Sequence, residues 1–277
     1  MTALNTMVSK EKFESPTFGS RVKSMLKLDF YRLFHTPVFY IMLAVAAIIP
    51  AMVLSLSGAD MSPPLSHSNA AYSTSTPQTL MPEFENTWQL IESTGGSAVA
   101  DNPLDFAGFA NINMLFIFAG LLMSIFVAHD YSSGFVKNIF TVHSKKTDYV
   151  ISKTAIGIFG GACMIGAYVF GTVIAGLITG KAFDVNVSGL ILCLISKALL
   201  MGVFCPLFLG IAVFFRNKLW LTIIFTFLLG MMFYPMASIA TLASTFVTAL
   251  IALGVGITGA IAFGYVSSLF LRKRDLA

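Results

Sequence analysis

Residues 219–271 read LWLTIIFTFLLGMMFYPMASIATLASTFVTALIALGVGITGAIAFGYVSSLFL. These 53 residues hold no Asp, Glu, Lys, Arg or His. A bilayer hydrocarbon core of ~30 Å is crossed by a helix of ~20 apolar residues, so one helix cannot use that length. Pro235, Ser238, Thr241, Ser244 and Thr245 cluster in the middle, where turn-forming residues interrupt the run. The stretch therefore predicts two spans, at about 219–234 and 246–270.

Working outward, four more charge-poor runs place spans at about 37–56, 106–128, 154–179 and 189–215. Composition agrees. The chain is 56% hydrophobic with 26 Phe, and 11% charged. An average soluble domain carries about 25% charged residues. That excludes an ordinary soluble enzyme and a disordered chain. The predicted fold class is an all-α polytopic membrane protein with six transmembrane helices, one domain over 36–271.

The Lys and Arg residues set the orientation. Of 17, fifteen fall in the N-terminal segment, the 129–153 loop, the 216–218 link and the C-terminus. Those segments belong on the cytoplasmic side, and both termini with them. Residues 1–20 read as a flexible cytoplasmic N-terminus and 272–277 as a cytoplasmic tail. The 57–105 loop carries Asp60, Glu83, Glu85, Glu92, Asp101 and Asp105 without a basic residue, and reads as external. Within it, Phe84, Trp88 and Ile91 suggest a short helix resting on the outer surface. The net charge of +4 does not indicate nucleic acid, because the basic residues flank apolar spans.

Residues 21–35 read as an interfacial amphipathic helix. Val22, Met25, Leu26, Phe30, Leu33 and Phe34 form the apolar side, while Arg21, Lys23, Lys27 and Arg32 reach water and lipid headgroups. Alanine and glycine recur every fourth residue at Ala252, Gly256, Ala260 and Gly264, and Gly157 and Gly161 are similarly spaced. Such spacing lets helix backbones approach closely, within one chain or across a dimer seam.

No catalytic, metal-binding or cofactor-binding residues are predicted. The spans lack the His and Glu pairs of a metalloprotease. Cys163, Cys193 and Cys205 lie inside apolar runs and read as small buried hydrophobes. The nearest approach to a phosphate-binding loop, Gly176–Ala182 (GLITGKA), is a residue short and lacks the magnesium-holding hydroxyl. An ion-driven carrier usually needs ionisable groups in its spans. Here only Lys197 qualifies. It lies ~28 Å before Arg216 along a straight helix, near the outer interface. Two readings stand: snorkelling to outer headgroups, or a candidate substrate contact in an outward vestibule.

The loop 129–153 reads HDYSSGFVKNIFTVHSKKTDYVISK. It predicts a short helix, capped by Ser132 or Ser133, whose Phe135, Ile139 and Phe140 want a partner surface. This loop resembles the one after the second span of ABC-2 type permeases. Asp130, Tyr131, Ser133, Gly134, Phe135, Val136, Lys137 and Asn138, then Lys146, Tyr149, Ser152 and Lys153, carry the likeness. Leu28–Ile41 (LDFYRLFHTPVFYI) resembles the family's interfacial helix leading into span one. The departure is His143–Ser144–Lys145, where relatives often carry a glycine-containing turn.

The resemblance implies an all-α transmembrane permease subunit of an ATP-driven exporter in the cell membrane, a bacterial inner membrane by type. Asp130, Tyr131, Ser133, Gly134, Phe135, Lys137 and Asn138 would form a coupling helix. It would dock on a separate ABC ATPase subunit, present in two copies and binding the ATP and Mg that this chain does not. A second permease copy, a homodimer in preference to a heterodimer, and membrane lipid are the other implied partners. The 235–245 stretch would form a re-entrant turn on the outer side. An uncharged, Phe-rich interior and an acidic outer loop favour an amphipathic or hydrophobic peptide as substrate. An uncoupled channel or scaffold, an ion-driven carrier, and a permease for lipid or polysaccharide remain as alternatives.

Overall fold

The computed structural model describes residues 17–56, 86–91, 111–141, 145–215 and 218–273. The first sixteen residues, most of the 57–105 loop, the first residues of predicted span two, His143–Ser144 and the tail beyond 273 lie outside them. So does Phe84. Among the described residues the regular structure is helical: α1 (Phe18–His35), α2 (Pro37–Leu56), a 3-10 turn (Thr87–Leu90), α3 (Met114–Ser132), α4 (Phe135–Thr141), α5 (Lys146–Thr179), α6 (Val187–Phe214), α7 (Leu219–Ala237) and α8 (Phe246–Lys273).

Five of these helices (α2, α3, α5, α6 and α8) are long and apolar enough to cross a membrane. Leu219–Phe233 of α7 is a sixth, shorter apolar stretch. The helix ends depart from the predicted spans where charges stand. The sequence reading ends spans at charged residues. Here α5 begins at Lys146 rather than 154, and α3 runs on to Ser132 rather than stopping at 128. Both continue because the charges within those turns are buried and paired. At 34 residues, α5 is about 51 Å long, well beyond the ~30 Å hydrocarbon core.

Local chemistry sets the joints. Thr36 is extended (φ −93°, ψ 117°), as the residue before a proline should be, and Pro37 opens α2 where its missing N–H is not needed. The break after α7 falls at Ser238, with Pro235 still inside the last turn. The 238–245 turn then folds inward: Ala240 is buried and its carbonyl accepts from Cys193 Sγ of α6 at 3.5 Å.

α6 lies at the centre of the bundle. Its Phe204 meets Phe116 of α3 at 4.6 Å, and Phe208 and Met201 are fully buried. Ser124 of α3 bonds Thr226 of α7 at 2.8 Å, so a polar contact between two apolar spans is satisfied internally. α2 and α8 leave Ile41, Ile48, Ile257 and Ile261 exposed, as lipid-facing helices do. The described part of the 57–105 loop forms a 3-10 turn packed on the bundle. Trp88, Leu90 and Ile91 are buried, and Thr87 N donates to Ala182 O at 2.9 Å. Asn86 Nδ2 also donates to Asp184 O.

The small-residue ladders serve packing within the chain. A Cβ on Gly256 would stand 2.5 Å from Leu199 O, so only glycine admits the α6 backbone there. A Cβ on Gly254, two residues away, would meet nothing within 4 Å. We expect Gly256→Val to weaken the α6–α8 contact by about 1–3 kcal/mol. Gly254→Val should be neutral or better. Paired unfolding titrations of the two purified variants would check this.

Candidate functional site

At the end of the bundle where the basic loops gather, α1, α3 and α5 bring charged residues together in the interior. Tyr149, Ser152 and Lys153 share one face of α5 at spacings of three and four. Asp29 and Arg32 face them from α1, and Asp130 from the last turn of α3. Asp29, Asp130, Tyr149, Ser152 and Lys153 are all fully buried.

Lys153 Nζ sits between two carboxylates, 2.7 Å from Asp29 Oδ1 and 2.6 Å from Asp130 Oδ2. Ser152 Oγ donates to Asp29 Oδ2 at 2.6 Å. The Tyr149 hydroxyl donates to Asp130 Oδ2 at 3.0 Å. Arg32 Nη2 pairs with Asp130 Oδ1 at 2.6 Å. Two acids and two bases make a neutral set. Removing ions of this size from water costs several kcal/mol each, and only close pairing with further hydrogen bonds offsets that. A separate pair, Arg21 Nε to Asp148 Oδ2 at 2.8 Å, ties the start of α1 to the first turn of α5. Lys146 Nζ donates to Leu271 O at 2.9 Å, joining α5 to the end of α8.

α4 closes over this cluster. Gly134 has φ +71°, which reverses the chain between α3 and α4 with a backbone that side-chain-bearing residues rarely adopt. Phe135 then lies over Arg32, its ring centroid 3.8 Å from the guanidinium carbon. Phe126 takes Lys153 in the same way at 4.2 Å. Val136 is fully buried and Phe140 meets Tyr149 edge-on at 5.8 Å. The partner surface that Phe135, Ile139 and Phe140 need is thus the chain's own bundle. Lys137, Asn138 and Thr141 form the opposite, exposed face of α4.

The structure sorts the predicted residues into two groups. Asp130 is interior and cannot meet a partner protein. Phe135 is half-buried against Arg32, and Tyr131 is half-buried. Ser133, Lys137 and Asn138 are exposed. Ser132 and Ser133 do not cap α4; their hydroxyls turn back to His129 O and Asp130 O and finish α3. Arg32 is half-buried rather than turned out to water as the amphipathic reading expected, because Asp130 takes it inward. Asp29 and Asp148 were missed. The available signal was Asp29 itself, four residues from Met25 and four from Leu33, on the buried side of α1.

Lys197 does not snorkel outward. It is buried, and its amine donates to Asn113 Oδ1 at 2.6 Å and to Ala237 O at 3.2 Å. It pins the start of α3 to the end of α7. Among the described residues no group of His, Cys, Asp or Glu is placed to hold a metal ion.

Residues 25–233 match the family described as ABC-2 family transporter protein. No curated protein and no solved structure matches the chain.

The central lysine gives a direct test. Lys153→Met leaves Asp29 and Asp130 buried without their shared cation, which should destabilise the fold by about 3–5 kcal/mol. Lys137→Met, on the exposed side of α4, should stay within about 0.5 kcal/mol. Detergent-micelle unfolding monitored by tryptophan fluorescence would separate the two.

Proposed function

The chain belongs to the ABC-2 family of transporter proteins, and from that premise we propose that it exports an amphipathic or hydrophobic substrate, a peptide above all, using a separate ATPase subunit. It is a multi-pass membrane component of an ABC transporter. In this reading two ATPase copies bind ATP and Mg, and a second copy of this chain completes the pathway across the cell membrane.

The observation that carries the reading is the two-sided character of α4. Its exposed face, Lys137, Asn138 and Thr141, is free for a docking partner. Its inner face is tied through Phe135 and Phe140 to Arg32 and Tyr149. Those side chains belong to a paired charge cluster whose members come from α1, α3 and α5. A displacement of α4 by a closing ATPase dimer would therefore load three helices together. Arg32 and Asp130 are positioning residues here: they hold Phe135 and the end of α3, and they do not touch the partner.

Two features support an apolar substrate. Lys197, a buried cation within α6, already donates to Asn113 and Ala237, and Lys153 of α5 is held by Asp29 and Asp130. On the basic-loop side, α6, α7 and α8 enclose a cleft of about 270 Å³ lined by Phe214, Phe225, Phe263 and Phe270. Such a wall suits hydrophobic side chains and offers little to a sugar. The acidic external loop would attract a cationic peptide over the short range that salt allows.

The test uses the tagged protein in native membranes. Lys137→Glu should abolish co-purification of a P-loop ATPase and of ATP hydrolysis, while the unfolding midpoint stays at the wild-type value. Gly134→Val should also weaken the complex, because a side chain in the left-handed region costs about 1–2 kcal/mol per residue. Retention of the ATPase in equal amount by both variants would remove α4 as the docking element. A wild-type protein that captures no ATPase after crosslinking would overturn the exporter reading itself.

A further inference from the structure

A second opening lies between α5 and α8, with a volume of about 510 Å³. Ile151, Ala155, Ile158, Ala260 and Ile261 give it an apolar wall, and Gly264 leaves room opposite Val150. From Thr147 to Ile158 the helical rise is about 16 Å, roughly half the ~30 Å hydrocarbon thickness, or one leaflet. One end of this groove is polar. Thr147 and Arg272 sit there, and both are exposed. Lys146 lies beside them and anchors α5 to Leu271. No described carboxylate lines the groove. The nearest by sequence, Asp148, is buried and held by Arg21.

Two further residues fit the same occupant. Tyr265 is exposed along the groove and offers it the face of an amphipathic ring. Thr154 also lines the groove, is buried, and has a hydroxyl with no hydrogen-bond partner. An apolar trough with a cation at its mouth has the polarity of one phospholipid.

We propose that the α5–α8 groove binds an anionic phospholipid of the cytoplasmic leaflet, its headgroup phosphate at Arg272 and one acyl chain lying along Ile151, Ala155, Ile158 and Ile261. The acyl chain fills space that small residues leave open between the two helices. The headgroup meets the basic end of the groove, where no carboxylate stands among the described lining residues. The site is separate from the Phe-lined cleft and from α4, and it needs neither the ATPase nor the transported substrate.

The full chain, purified in mild detergent, tests this by native mass spectrometry with dioleoyl phosphatidylglycerol or dioleoyl phosphatidylcholine added at equal concentration. Wild type should retain phosphatidylglycerol over phosphatidylcholine by about fivefold, the effect of one basic residue near an anionic headgroup. Arg272→Gln should bring the ratio close to one. Gly264→Leu should lower retention of both lipids, because its Cβ has only an ordinary 3.8 Å contact with Val150 and the rest of the side chain enters the groove. Equal retention of both lipids by wild type would overturn the proposal, as would a ratio unmoved by Arg272→Gln. Efficient Ile261→Cys crosslinking between two chains in the membrane would also overturn it, by giving the groove to a second copy. If Gly264→Leu fails to fold, the Arg272→Gln ratio decides alone.

Discussion

One ammonium group holds together the end of the bundle where α1, α3 and α5 meet. Lys153 places its amine between Asp29 and Asp130, which belong to helices far apart in the chain. In a bilayer, apolar helices gain little by leaving lipid for one another. Charged groups behave differently, because an unpaired buried ion is expensive. The positions of α1, α3 and α5 therefore depend on each other: moving any one of them leaves a partner's charge exposed to an apolar surround. The apolar contacts around Val136, Met123 and Val127 then fill the space that this pairing defines.

α3 is held by polar contacts at both ends and in the middle. Asp130 fixes one end and Asn113, through Lys197, the other, while Ser124 bonds Thr226 between them. The two terminal contacts connect to different elements. The Asp130 end meets α1, α4 and α5. The Asn113 end meets α6 and the end of α7, close to the inward-folded turn after it. A helix held at both ends and in the middle has its axial position set by all three contacts.

Much of the fold was legible in the sequence because the bilayer imposes length and apolarity directly. The charge-free runs located the five helices long and apolar enough to cross a membrane and the shorter apolar stretch of α7. Boundaries failed at α3 and α5 for one reason: a charge was read as an end, whereas Asp130, Asp148 and Lys153 are carried inside helices by partners that lie more than a hundred residues away or on another element. Sequence spacing within a helix reports local neighbours only. The same limit applies to Lys197, whose position along α6 was readable but whose direction was not. The amphipathic reading of α1 found Met25 and Leu33 on one side. It placed Arg32 in water because nothing local indicates Asp130. The exposed and inner faces of α4 were separable from its pattern, since Phe135 and Lys137 point apart at helical spacing. The surface receiving Phe135 could not be known until α1 was in place.

The Asp29–Lys153 pair also orders events during synthesis. Lys153 leaves the ribosome 124 residues after Asp29. At about 5–20 residues per second, that interval is roughly 6–25 s. Throughout it, Asp29 has no cation to accompany it inward, and α1 can be held at the membrane surface only by side chains such as Leu28 and Phe34. The amino-terminal helix is thus made first and seated late. The burial of Asp29 seen in the folded chain therefore waits on α5, and a nascent chain halted before residue 153 lacks the cation that meets it there.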